Sequence, residues 1–294
     1  MPMPPVALPW PVGLFDSGLG GLSVLRAVRA LLPRERVVYV ADSRYAPYGE
    51  LDDDFVVDRT LAIGQWLVAQ GAKALVVACN TATTQAIVRA RETLPIPIVG
   101  VEPGVKPAAL LSRSHVVGVL ATQATLRSAR FQALLKRHAA GCRVLCQPGH
   151  GLVQAVERCD VSPDSPGLFA LLHGYLQPML DAGADTLVLG CTHYPFLDEA
   201  IRAVVGEKMQ LIDTSEAIAR QLQRVLLTHG LLNGAPTPDG NRSAPEATAP
   251  VRLCSTNDGV HLHQLAAALL KIDAPVEHVE IASRRTASLE MCVA

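Results

Sequence analysis

The sequence predicts an α/β protein made of two pseudo-symmetric halves, each a parallel sheet flanked by helices, with a cleft between them. Three observations lead there. Apolar strand-like runs alternate with helix-like segments, the order restarts after residue 115, and each half carries a cysteine where an apolar run stops. The cysteine-bearing stretches are Ala74-Leu-Val-Val-Ala-Cys79-Asn-Thr and Thr186-Leu-Val-Leu-Gly-Cys191-Thr-His. A short β-branched run that ends in small polar residues reads as a buried strand feeding a helix. Cys79 would then sit beside helix N-terminal amides, which favour an anion and draw a thiol toward thiolate.

Taken in order, Val12-Gly-Leu-Phe reads as a strand entering Asp16-Ser-Gly-Leu-Gly-Gly, and Leu22, Leu25, Val28 and Leu32 give the next segment helical spacing. A second strand is expected over 36–42, a loop over 43–49, a helix over 53–70, the Cys79 strand with a helix to Leu94, and a strand over 95–101. The second half repeats the pattern: a strand from Val116, a helix opening at Ala121, a strand from Arg143, a helix over 167–182, the Cys191 strand, a strand over 209–214 and a helix from Ser215 to about Thr228. Val117 follows Val12 by 105 residues, Arg143 follows Arg36 by 107, Cys191 follows Cys79 by 112 and Ile212 follows Val99 by 113. A slowly rising offset is what two copies with small loop insertions give. The proline-rich stretch 233–250 reads as a surface loop, followed by a strand over 251–256, a helix over 261–271 and a last strand over 276–282. In parallel sheets of this kind ligands bind at the carboxyl ends of strands, where both cysteines are placed.

Composition narrows the function. The 294 residues suit two domains of ~100–200 residues each. Apolar residues make up 49% and charged residues 18%, so a core is available and disorder is disfavoured. A net charge of −1 without a basic face argues against nucleic acid as a partner. No apolar run reaches a membrane span, and the proline-rich start lacks the pattern of a signal peptide. Seven cysteines, an odd number without C-x-x-C spacing, read as reduced thiols of a cytoplasmic protein. Cys191-x-His193 alone does not make a zinc site.

Two strand-end thiols facing each other across a cleft suit one chemistry above others. One thiolate removes a proton from a carbon while a thiol on the opposite face returns one, which inverts a stereocentre. Asp16 and His193 are placed to hold the two sulfurs in opposite protonation states. The other cysteines (142, 146, 159, 254 and 292) read as small hydrophobes. Asp16-Ser-Gly-Leu-Gly-Gly fails the dinucleotide fingerprint because Ser23 stands at its third glycine, and it lacks a P-loop ending, so a carboxylate-binding anion site is expected there.

With these residues in view, the chain is similar to the glutamate racemases of the cofactor-independent aspartate/glutamate racemase superfamily. The matching segments are Phe15-Asp-Ser-Gly-Leu-Gly-Gly, Ala41-Asp-Ser-Arg-Tyr-Ala-Pro-Tyr-Gly, Val77-Ala-Cys-Asn-Thr-Ala-Thr, Gly100-Val-Glu-Pro-Gly, Leu189-Gly-Cys-Thr-His-Tyr-Pro and Leu211-Ile-Asp-Thr-Ser-Glu, in family order over about residues 12–232. The resemblance implies Cys79 as the base toward D-glutamate and Cys191 as the base toward L-glutamate, each the other's acid. It implies Asp16 as helper to Cys79, His193 as helper to Cys191, and Glu157 as a further acidic residue. Ser17, Asn80, Thr81 and Thr192 would hold the amino and α-carboxylate groups. The amides around Tyr48 and Gly49 would take the side-chain carboxylate, with Thr122 as a further contact. The chain departs from the family pattern at Gln154, where proline is common, at Ser43, where threonine is usual, and in the loop after Gly234. The resemblance also implies no cofactor, glutamate as the small-molecule partner, a role in peptidoglycan synthesis, and a first domain of 1–99 plus 210–294 around a second of 100–209. A homodimer is compatible with it. Three rivals stand beside this expectation: a racemase for aspartate or a hydantoin, a non-catalytic binder of a small anion, and a thiol redox sensor that pairs Cys79 with Cys191.

Overall fold

The computed structural model describes residues 10–233 and 249–286. Most of the expected 233–250 loop and Cys292 lie outside the described residues.

Among the described residues, ten strands form two all-parallel sheets. Those of the first half are β1 (Val12–Asp16), β2 (Val37–Ala41), β3 (Ala74–Val77) and β4 (Ile98–Gly100). The second half contributes β5 (Val116–Ala121), β6 (Arg143–Pro148), β7 (Thr186–Gly190) and β8 (Gln210–Ile212). β9 (Val251–Ser255) and β10 (Val276–His278) close the series. The first sheet runs β10-β9-β2-β1-β3-β4 and the second β6-β5-β7-β8. The order β2-β1-β3-β4 is thus repeated as β6-β5-β7-β8, and each pair linked by the sequence offsets occupies the same place in its sheet.

β1, β2, β3 and β7 are buried along their whole length, as strands covered on both faces must be. On one face of the first sheet Val12, Leu14 and Val76 pack with Leu22, Leu25 and Val28, with Leu222 and Leu226, and with Leu262 and Leu265. On the other, Phe15, Val40, Leu75 and Val77 meet Val56, Ile63, Leu67 and Ile87. The second sheet is covered likewise. Leu120, Leu187 and Leu189 pack with Leu172, Leu176 and Ile201, and Val117, Val119 and Val188 with Val105, Ala108 and Phe131.

β8 pairs with β7, Thr186 opposite Gln210, so residues 210–212 lie in the second sheet. The chain returns only with the helix Ser215–Thr228, whose Ile218, Ala219, Leu222 and Leu226 enter the first core. The last strand is shorter than expected and stops at His278.

Candidate active site

Each half presents its cysteine by the same device, a buried strand that ends one or two residues earlier. After β3, Cys79 is the N-cap of the helix Asn80–Thr93, and its sulfur accepts from the Ala82 amide at 3.5 Å. After β7, Cys191 leads into a short turn, Tyr194–Leu197, with Pro195 in its first positions. The helix Asp198–Val205 follows only then. Both cysteines are nearly closed to solvent, at 5% and 6% exposure.

Around Cys79 stand Ser17, whose hydroxyl lies 3.6 Å from the sulfur, and Asp16, wholly buried at the end of β1. Burial first, and then the charge of Asp16, push the Cys79 thiol far above its ordinary range, while the Ala82 amide and Ser17 pull it down less. This reverses the expectation of a thiolate: desolvation outweighs the helix terminus. Burial also raises the Asp16 carboxyl, against the opposing pull of His193 and of the Gly21 and Gly18 amides.

Around Cys191, His193 places Nδ1 3.7 Å from the sulfur, and its Nε2 lies 2.6 Å from Glu157 Oε1. The Gly20 amide nitrogen is 3.3 Å from the same Nε2, which cannot donate to Glu157 and accept from Gly20 together. The shorter, charge-assisted contact decides, so the network assigns a proton to Nε2 aimed at Glu157. Burial alone would lower the His193 pKa. The hydrogen bonds to Cys191 and Glu157, then the charges of Cys191 and Asp16, raise it well above the ordinary histidine value.

The two halves interlock at these groups. Thr192 donates to Asp16 Oδ1 at 3.3 Å, and Leu19 donates its amide to Glu157 Oε1 at 2.7 Å. A Cβ on Gly18 would run into the Glu157 carboxylate and one on Gly20 into the His193 ring. The glycines after Asp16 therefore serve close approach between halves. Their expected role as an anion site for a ligand is corrected: the amides of residues 18 and 21 bind Asp16, that of 19 binds Glu157, and that of 20 abuts His193. The loop does hold carboxylates, and they are the protein's own.

The remaining expected contacts gather at the same edge. Thr81 of the first half and Thr122 of the second approach to 2.9 Å between hydroxyls. Gly49 backs onto Thr122, where a Cβ would come within 2.9 Å of the threonine Cβ. The Asn80 side-chain amide is buried without a hydrogen-bond partner, a state that costs about 1–3 kcal/mol until something accepts from it. Gln154, at the departure from the family pattern, donates to Glu50 Oε1 across the cleft at 2.6 Å.

Sequence reasoning missed Asp42 and Arg59, a buried pair beside Tyr48 with 2.7 Å between Arg59 Nη2 and Asp42 Oδ1. Signals existed for both. Asp42 directly follows β2, an acidic residue after an apolar run, and Arg59 falls on the inward stripe of its helix with Val56, Ile63 and Leu67.

Two matched halves, each with a buried cysteine at the end of a strand, fit an isomerase of the racemase class. The chain belongs to the Asp/Glu/Hydantoin racemase family, whose model matches residues 22–222. It is 55% identical to the glutamate racemase of Cupriavidus pinatubonensis over 93% of this chain and 96% of that one. Among solved structures it is similar to glutamate racemase isoform RacE1 from Bacillus anthracis, with a TM-score of 0.80 and 28% identity over 94% of this chain and 99% of that one. It is also similar to the Francisella tularensis glutamate racemase solved with D-glutamate, with a TM-score of 0.76 and 26% identity over 92% and 98%.

Proposed function

We propose that the chain interconverts L- and D-glutamate by passing the α proton between Cys191 and Cys79, without a cofactor. The observation that carries this reading is the pair of buried cysteines at equivalent strand ends of two matched sheets, each with its own charged helper. From L-glutamate, a Cys191 thiolate paired with the His193 imidazolium takes the proton from Cα, and the Cys79 thiol delivers its own to the opposite face. The surroundings that keep Cys79 protonated suit it to that step. In the reverse direction the substrate ammonium, held beside Asp16, offsets the charge that disfavours the Cys79 thiolate.

Ser17, Asn80, Thr81 and Thr192 would hold the amino and α-carboxylate groups, and the unpartnered Asn80 amide supports this. The Tyr48 and Gly49 amides, with Thr122 behind them, would take the distal carboxylate. That subsite and the names of the relatives favour glutamate. We also propose that the halves are domains of 10–100 with 215–286 and of 101–213, and that the D-glutamate serves peptidoglycan synthesis in the cytoplasm.

The test is incubation of the purified protein with L-glutamate in D₂O, following optical activity and the α-hydrogen signal. Decay of both with no cofactor added is expected. Loss of both activities in Cys79→Ala and Cys191→Ala, with circular dichroism unchanged, is expected too. Near-normal turnover by either variant would defeat the two-thiol assignment, and decay with aspartate alone would move the substrate.

A further inference from the structure

We propose that Arg59 is a positioning residue for the substrate. By holding Asp42 in a bidentate grip it fixes the Tyr48–Gly49 turn, and so sets how far the distal carboxylate lies from the two thiols. This deepens the glutamate reading above and rests on it.

Arg59 heads the fully buried large side chains of the described residues and sits on the inward face of the helix Asp53–Ala69. Its Nε and Nη2 donate to Asp42 Oδ2 and Oδ1 at 3.0 and 2.7 Å, and its remaining terminal nitrogen donates to the Ile281 carbonyl. The guanidinium lies over the Tyr45 ring, 4.6 Å from its centroid. Asp42 Oδ2 also accepts from the Tyr48 hydroxyl. The Asp42 amide in turn donates to the Asp16 carbonyl at 3.0 Å, so the anchor is tied to the strand end beside Cys79. One guanidinium thereby orients Asp42, Tyr45 and Tyr48, three points along the loop that leads to Gly49.

From the opposite side Gly49 is stopped by Thr122, which meets Thr81 next to Asn80 and Cys79. The turn is thus held between a rigid fork and the far wall of the cleft. Stability alone does not account for such a pair, since apolar residues of similar volume commonly fill the place of a buried ion pair without loss. What the pair supplies is direction: a planar fork and a phenol hydroxyl fix angles that leucine and methionine do not. A turn fixed this way holds one spacing between the two thiols and a terminal carboxylate.

The test uses the full-length protein. Arg59→Lys keeps the charge and loses the fork, and an Asp42→Leu/Arg59→Met double variant removes both charges without leaving one alone in the core. For each folded variant we expect KM for glutamate to rise roughly tenfold or more with kcat within about threefold, the pattern of lost uniform binding. The kcat/KM preference for glutamate over aspartate should fall with it. The double variant keeps the question open to measurement if Arg59→Lys does not fold. Wild-type KM and unaltered preference in a folded variant would overturn the inference alone, as would a loss confined to kcat. Failure of the wild type to exchange the α-hydrogen of glutamate would overturn the glutamate reading and this inference together.

Discussion

Glu157 reaches the Cys191 thiol only through His193: its carboxylate meets Nε2 at 2.6 Å while Nδ1 lies 3.7 Å from the sulfur. His193 has a folded pKa above its ordinary value, and Glu157 is among the causes. A basic group raised in this way adds stability that is fully present below the unfolded value of about 6.5 and is lost as pH rises through the folded value. Glu157→Gln keeps an oxygen for the Leu19 amide and removes the charge. The His193 pKa then falls, and the alkaline limb of kcat/KM for L-glutamate moves about one unit toward acid. Superimposed pH profiles for wild type and variant would show that Glu157 only packs. The sequence made Glu157 visible through its resemblance, yet its partner could not be read there, because residues 157 and 193 meet only when the helix Leu152–Glu157 lies beside the turn after β7.

At the scale of the element, the junction of strand and helix decides where a thiol can stand. Thr83, in the first turn after Cys79, donates to the Val77 carbonyl at 3.2 Å and accepts from the Val101 amide at 3.0 Å. It pins the start of the Cys79 helix to the ends of β3 and β4. Thr83→Val keeps the shape and strands both backbone groups, so a loss of about 1–3 kcal/mol is expected, read as a lower urea midpoint with the slope unchanged. An unchanged midpoint would mean that the junction needs no such pin. Elements were legible in the sequence where an apolar run met sharp punctuation, as at Val12–Asp16, Val37–Ala41 and Asp53–Ala69. The six residues of Leu152–Glu157 are too few to show a period, and that helix starts from Gly151 with φ near 78°. Asp198–Val205 was hidden behind Pro195, which made the second cysteine motif read as a break. The thiolate expected at Cys79 failed for a different reason: local pattern shows a helix terminus and does not show how deeply the terminus is buried.

At the scale of the molecule, the rising offsets foretold that two sheets share one strand order, because strand ends and loop lengths are written locally. Completion of the first sheet by β9 and β10 beside β2 is a long-range pairing that no local pattern announces. That pairing makes the halves unequal in independence. The second half holds both of its apolar clusters within residues 101–213. The first borrows Ile218, Leu222, Leu226, Leu253, Leu262, Leu265 and Ile272 from the chain beyond it. At about 1.5–3 kcal/mol for each large side chain buried, their removal costs on the order of 10 kcal/mol or more, comparable with the whole stability of ~5–15 kcal/mol of a typical protein. It also bares the edge of β2 to foreign strands. A fragment ending at residue 213 is therefore expected to lack a cooperative transition for its first half and to bind a hydrophobic dye, whereas the fragment 101–213 keeps a sigmoidal melt. A fragment 1–213 that unfolds in two cooperative steps would show that the first sheet stands without its C-terminal completion, and that the borrowed helices and strands serve the cleft and not the core.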